Sequence, residues 1–176
     1  IKRELPDIRF FIVGANPPES IKELASDSIV VTGFIEDLFT FLDGIRVTVA
    51  PLRYGAGIKG KVGASLGAGV PSVITSVAAE GMKLTDGDNI LIADDALHFA
   101  KSLVKVYSNE DEWSRLSKNG IEFANENFGP SASLKILHEI LSAVGCTGLS
   151  TNTPVKLYNE AEVNVFRSPK RTLEAT

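Results

Sequence analysis

The sequence predicts a doubly wound α/β fold, in which helices cover both faces of a parallel sheet. Two observations lead to this fold class. Short, continuous apolar segments alternate with helical patterns through the first hundred residues, and the first two segments run into glycine. Such segments are typical of parallel strands that are buried on both faces, with helices as the connections. Folds of this kind bind ligands at the carboxyl ends of their strands.

Five strands are predicted, each from a run of apolar or β-branched residues bounded by turn residues. The first run, around FFIV, ends at Gly14, and the third ends where a glycine-rich loop begins. In chain order the predicted strands are Arg9–Ala15, Ser28–Phe34, Arg46–Leu52, Pro71–Val77 and Asn89–Asp95.

Helices are predicted where apolar residues recur three or four positions apart. The last of them begins near Pro130 and stops at Gly145, which are typical start and stop signals. Trp113 and Phe123 fit an apolar helix face, so core packing is their expected role. The predicted helices are Glu19–Asp27, Glu36–Gly44, Ile58–Gly69, Ala96–Asn109, the segment that carries Trp113 to Phe123, and Ser131–Gly145.

Composition and charge limit the function classes. The 176 residues suit one main domain, predicted over residues 1–145, followed by a polar tail or linker over 146–176. The net charge of −4 gives no reason to expect a nucleic-acid partner. The chain has one cysteine, Cys146, and no apolar run long enough to span a bilayer, so we expect a cytoplasmic protein, with peripheral membrane attachment as the alternative.

The stretch PLRYGAGIKGK, which joins the third strand to the next helix, carries the densest chemistry. Its glycines permit positive φ and close approach of a ligand. A helix N-terminus attracts anions, and Arg53, Lys59 and Lys61 supply positive charge. The loop matches neither a Walker sequence nor a dinucleotide fingerprint. A phosphate cradle and a plain strand-to-helix turn with solvated lysines both remain open on composition alone.

The ordered set PLRYGAGIKGKV, GAGVPSVITSVAAEGM and DGDNILIADD resembles the C-terminal, nucleotide-sugar-binding domain of family four glycosyltransferases, in the subgroup with a GAGIKGK loop. The upstream VGANP and TGFIEDL and the downstream helices match the same domain, so the resemblance covers about residues 1–145. It implies a Rossmann-like half of a GT-B fold. It also implies a retaining transferase that moves a sugar from a nucleoside diphosphate sugar to a glycan or other hydroxyl acceptor, without a metal or other cofactor.

The resemblance also implies roles for particular residues. The segment Gly57, Ile58, Lys59, Gly60 and Lys61 falls where amides approach the donor sugar and phosphates, with Arg53 beside it. The expected nucleotide contacts elsewhere are Gly14, Phe34 and Ile35, and the expected contacts to the diphosphate or sugar are Gly81 and Glu80, the one candidate catalytic residue.

Two departures from the family pattern favour a different function. Two glutamates that many members carry align with Ala56 and Ala64, and alanine can neither bind a ribose hydroxyl nor stabilise positive charge. The family domain also begins with a strand and helix ahead of Ile1, so we expect an N-terminally truncated domain that lacks its acceptor-binding partner domain. The alternative function is therefore a degenerate, non-catalytic module that binds a nucleotide or glycan.

Other candidate residues are better explained structurally. The spacing of Asp86, Asp88, Asp94 and Asp95 fits no calcium loop, so turn and cap roles are expected and no metal site is predicted. His98 and His138 lie in helical patterns, away from the glycine loop in sequence, and no catalytic role is expected for either.

Overall fold

A computed structural model describes residues 1–145 of the chain. All five predicted strands are present, each shorter than its apolar run. In chain order they are β1 (Phe10–Val13), β2 (Ile29–Gly33), β3 (Thr48–Ala50), β4 (Ser72–Ile74) and β5 (Leu91–Ile92). The predicted tail, 146–176, lies outside the described residues.

Seven helices are present within residues 1–145. The predicted helices are found, and two features differ from expectation. Helix α1 stops at Lys22, because the chain turns at Ser26 to pair with Ile29. A short helix follows β4, where only a loop was expected. The helices are α1 (Glu19–Lys22), α2 (Leu38–Asp43), α3 (Gly60–Gly67), α4 (Ser76–Ala79), α5 (Ala96–Ser108), α6 (Glu110–Phe128) and α7 (Pro130–Ala143).

All strand pairs are parallel, and the strands form two sheets within the described residues. One contains β1 and β2, and the other has the order β3-β4-β5. Since only parallel strands joined by helices are present, the doubly wound α/β class predicted from the sequence is confirmed, although the strands do not form one continuous ladder. Strands β1 and β3 therefore lie at the edges of two different sheets.

The core lies around the three-stranded sheet. β4 is buried along its whole length, whereas the all-apolar β1 is only half-buried. Trp113, predicted to pack in the core, lies against the core cluster while its indole Nε1 donates to the Arg46 carbonyl at 2.6 Å. The buried members of the cluster come from β4, β5, α5 and α6; they are Val73, Leu91, Leu103, Val106 and Leu116.

The chain divides into two compact units, one from Ile1 to Phe123 and a second that begins at Ala124. The first unit contains both sheets. Helix α7 belongs to the second, and the apolar side chains of Leu137 and Ile140 on it are exposed. Among residues 1–145, no helix is long and apolar enough to cross a membrane.

Candidate functional site

The loops that follow β3, β4 and β5 emerge at one edge of the three-stranded sheet, because parallel strands place their carboxyl ends together. The backbone pairing continues past the strand ends, since Thr75 N donates to the Ala50 carbonyl at 3.2 Å and Ala93 N to the Ile74 carbonyl at 2.9 Å. The three loops are therefore fixed at their bases in register with one another.

The loop after β3 requires two of its glycines. Gly55 has a φ of 140° and Gly57 a φ of 76°, both in the region that residues with a Cβ seldom adopt. A Cβ at Gly55 would also lie 3.6 Å from Cε of Lys59. These backbone angles fold the loop over the lysine side chain.

Lys59 is the unusual residue of this loop. It is only 8% exposed, while its apolar neighbour Ile58 is 64% exposed, the reverse of what hydrophobicity alone predicts. Its Nζ donates to the Gly57 carbonyl at 2.5 Å. Within residues 1–145 no carboxylate lies within 4.0 Å of this ammonium. A buried positive charge without a counter-ion costs free energy, and a bound anion would compensate for it.

Helix α3 begins directly after Lys59 and adds further positive potential. Val62 N and Gly63 N donate back to the Lys59 carbonyl, while the amides of Gly60 and Lys61 have no protein acceptor among the described residues. Free amides and the helix dipole favour an anion at this end of the helix. The side chains of Arg53 and Lys61 are exposed on the same loop and first turn.

The loop after β4 carries Glu80. This residue ends α4 with a side chain exposed to solvent, and Gly81 follows with a φ of 76°. Ala78 and Met82 are fully buried on either side and anchor the segment. Glu80 thus follows the strand that pairs directly with β3, so the two predicted segments leave neighbouring strands at the same edge.

Hydrogen bonds between the loops were not predicted from the sequence. Thr75 Oγ1 donates to the Leu52 carbonyl at 2.7 Å, which joins the loop after β4 to the start of the glycine loop. Ser76 donates to Oδ1 of Asp94 from both its amide and its hydroxyl. These contacts join residues 18 and 23 positions apart, so no local pattern could have indicated them.

The remaining predicted residues follow strands of the other sheet. Gly14 follows β1, and Gly14 N donates to the Gly33 carbonyl at 3.0 Å. Phe34 and Ile35 follow β2, and the Phe34 side chain is 74% exposed. Sequence reasoning therefore placed all the candidates after strand ends, but Gly14, Phe34 and Ile35 belong to a different sheet from the glycine loop and Glu80.

Two of the four aspartates, Asp95 and Asp86, have the expected cap and turn roles, whereas Asp94 and Asp88 accept from the distant residues Ser76 and Asn119. Asp95 accepts from the amides of Leu97 and His98 and so caps α5, and these bonds, together with the His98 side chain, hold the pKa of Asp95 below its usual range. Asp86 accepts from Ile92 N. Within the described residues no group of three or more His, Cys, Asp or Glu side chains could hold a metal ion.

Comparison with known proteins identifies the family. The family model described as glycosyl transferases group 1 matches residues 1–109, more than half of the chain. The chain belongs to this family. A relative of this glycosyltransferase chain, the uncharacterized 44.6 kDa protein in the cps region of Klebsiella pneumoniae, is 27% identical over 136 residues. That match covers 72% of our chain and 35% of the relative, so the chain spans about a third of that protein's length.

Solved structures agree on the fold. Anabaena HepE (Alr3699), in complex with UDP-glucose, matches with a TM-score of 0.69 and 14% identity, over 78% of this chain and 42% of that one. The C-terminal domain of the group 1 family glycosyl transferase LpcC from Francisella tularensis matches with a TM-score of 0.60 and 14% identity, over 73% and 74% of the two chains. At such low identity the likeness establishes the Rossmann-like GT-B fold, and the roles of individual residues stay predictions.

Proposed function

We propose that the chain is the donor-binding part of a retaining glycosyltransferase, and that the loops after β3 and β4 hold the diphosphate and sugar of a nucleoside diphosphate sugar. The observation that carries this proposal is Lys59, a buried residue whose ammonium has no carboxylate partner among residues 1–145, at the start of a helix with free amides. Membership in glycosyl transferases group 1 supports the reaction class, and HepE supplies an example of the fold with UDP-glucose bound.

The chemistry follows from the charges. In a retaining transfer the oxygen of the acceptor hydroxyl bonds to the anomeric carbon on the face from which the diphosphate leaves. The bond to the diphosphate breaks, negative charge grows on this leaving group, and the hydroxyl proton passes to it. Groups that are fixed before the reaction and aimed at this charge lower the barrier most. Lys59 and the amides of Gly60 and Lys61 would supply such stabilisation, with Arg53 as a paired donor to phosphate oxygens. Glu80 would contact the sugar, and the acceptor would come from a separate domain of a longer protein.

A titration tests this proposal. The 176-residue chain is titrated calorimetrically with UDP-glucose, GDP-mannose and ADP-glucose. We expect binding of one of the three at millimolar concentration or tighter, and loss of that binding in Lys59→Ala and Arg53→Ala. Absence of binding for all three ligands would disprove a donor site in this chain. Lys22→Ala is the matched control, because Lys22 is an exposed lysine in α1 that pairs with Glu19.

The second candidate function is a non-catalytic binding module, and it is favoured by Ala56 and Ala64. Ala56 lies on the exposed glycine loop and Ala64 in α3, and neither side chain can hydrogen bond. In this case the nucleotide would bind, but the intact, longer protein would transfer no sugar in the presence of acceptor. Binding in the titration together with absent turnover would favour the module.

A further inference from the structure

The contact between Asp94 and Ser76 lies between two loops of the candidate site and has no part in the proposed binding chemistry. Oδ1 of Asp94 accepts from Ser76 N at 2.8 Å and from Ser76 Oγ at 2.9 Å. Asp94 follows β5 and Ser76 follows β4, so the contact crosses from one strand end to the next. Both side chains are exposed, which means that the bonds contribute little to global stability.

Ser76 is the first residue of α4, the helix that leads to Glu80. A helix of four residues is not stable by itself in water, because a single turn fixes many dihedral angles and forms few hydrogen bonds. Its direction therefore depends on what holds its two ends. At the far end Ala78 and Met82 are buried. At the near end the acceptor for the Ser76 amide is Asp94.

The residue before Ser76 is fixed from the opposite side. Thr75 is buried, and its Oγ1 donates to the Leu52 carbonyl at 2.7 Å, where the glycine loop begins. The start of α4 is thus held toward β3 by Thr75 and toward β5 by Asp94. These two contacts therefore fix the start of the short helix that leads to Glu80.

We propose that Asp94 is a positioning residue, which holds α4 so that the Glu80 carboxylate faces the sugar while the glycine loop binds the diphosphate. This deepens the proposed function and rests on it. A carboxylate suits the task because one of its oxygens accepts from the amide and the hydroxyl together. Asp94 then determines how strongly the nucleotide sugar is preferred over the nucleotide alone.

The test uses the 176-residue chain and the variants Asp94→Ala, Asp94→Asn and Asp86→Ala. Asparagine keeps an oxygen that can accept both bonds, so it should restore wild-type behaviour. Asp86→Ala is the matched control: this exposed aspartate accepts a hydrogen bond from the backbone amide of Ile92 at 2.7 Å, and within residues 1–145 it makes no side-chain hydrogen bond to α4.

Affinities for UDP and UDP-glucose are measured for each variant. If wild type prefers another donor, the pair is GDP and GDP-mannose or ADP and ADP-glucose instead. In Asp94→Ala we expect an unchanged affinity for the nucleotide. We expect a loss of about tenfold in the advantage of the sugar form, since a lost hydrogen bond of about 1.4 kcal/mol corresponds to tenfold in affinity. Asp94→Asn and Asp86→Ala should keep the advantage. An undiminished advantage in Asp94→Ala, or no rescue by Asp94→Asn, would overturn the inference.

A second measurement needs no ligand and separates this inference from the proposed function. Hydrogen exchange is followed for the amides of Ala78 and Ala79, which both donate to the Thr75 carbonyl. We expect exchange at least about fivefold faster in Asp94→Ala than in wild type, because a local opening is no longer opposed. The Asp94→Asn and Asp86→Ala variants should match wild type. If no nucleotide binds, the proposed donor site is disproved, while faster exchange in Asp94→Ala still supports positioning of α4 by Asp94. Unchanged exchange in Asp94→Ala would reject this positioning whether or not a nucleotide binds.

Discussion

Replacing Lys59 by methionine should separate binding from stability. Methionine is about as long as lysine and apolar, so it fills the same buried space without the charge. The variant loses the hydrogen bond from Nζ to the Gly57 carbonyl, and bonds to charged groups contribute about 1.5–3 kcal/mol. It also removes the cost of partly burying a positive charge that has no carboxylate within 4.0 Å among residues 1–145. This cost reaches several kcal/mol for a fully buried ion and is smaller here, because the hydrogen bond of the ammonium is only part-buried. The two terms are of similar size and opposite sign.

We therefore expect the free energy of unfolding of Lys59→Met to lie within about 1–2 kcal/mol of wild type. Ligand binding should respond differently. Loss of one charge-assisted bond to a phosphate, worth about 1.5–3 kcal/mol, corresponds to a weakening of about 10- to 100-fold in nucleotide affinity. Urea denaturation followed by circular dichroism gives the first quantity, and calorimetric titration gives the second.

Lys61→Met is the matched control, because Lys61 lies two residues further on and its side chain is exposed. An exposed charge at a helix N-terminus changes binding by about 0.3–1 kcal/mol, so a loss of about two- to fivefold is expected. The reasoning would be refuted if Lys59→Met lost more than about 3 kcal/mol of stability while its nucleotide affinity stayed unchanged. In that case the lysine would serve only to hold the loop through Gly57.

Three further predictions concern the stability and exposure of other parts of the fold. Gly69→Ala should lower the free energy of unfolding by at least about 1–2 kcal/mol, because φ is +71° and an added Cβ would lie 2.9 Å from Cδ1 of Ile121; an unchanged urea midpoint would contradict this. The Lys105 side chain, helped by Arg115, lowers the pKa of Glu112. The stabilisation from the Glu112 carboxylate is therefore present above its unfolded pKa of about 4.3 and is lost as pH falls through the lower folded value. Glu112→Gln should show a shallower loss of stability below about pH 5, and an equally steep loss would count against the ion pair. Phe10 N donates to the Ser28 carbonyl, so the next amide, that of Phe11, points to the free edge of β1. The Phe11 amide should therefore exchange with solvent faster than the Phe10 amide, and equal protection of the two would mean that this edge is covered.

The sequence was sufficient for the strands and for their order along the chain. Each strand is a run that is apolar on both faces, and this signal is local and strong. The glycine loop was also predictable, because Gly55 and Gly57 are residue types that a positive φ requires. Helix α4 was missed because four residues carry too little periodicity to indicate a helix.

The burial of Lys59 could not be predicted, and it changes the interpretation of the loop. Sequence hydrophobicity places Ile58 inside and Lys59 outside, whereas the backbone angles at Gly55 and Gly57 reverse the two. On composition alone a turn with solvated lysines explained the loop as well as a phosphate cradle did. A solvated lysine gains little from an anion, whereas a buried lysine without a carboxylate partner is stabilised when an anion binds. The structure thus favours the phosphate cradle over the plain turn: the Lys59 residue is already largely buried beside the start of α3, so binding a phosphate there removes little further lysine surface from water. Because this advantage concerns binding alone, it supports a nucleotide site equally in an active transferase and in a module that lacks glutamate at Ala56 and Ala64, and only turnover in the longer protein separates the two.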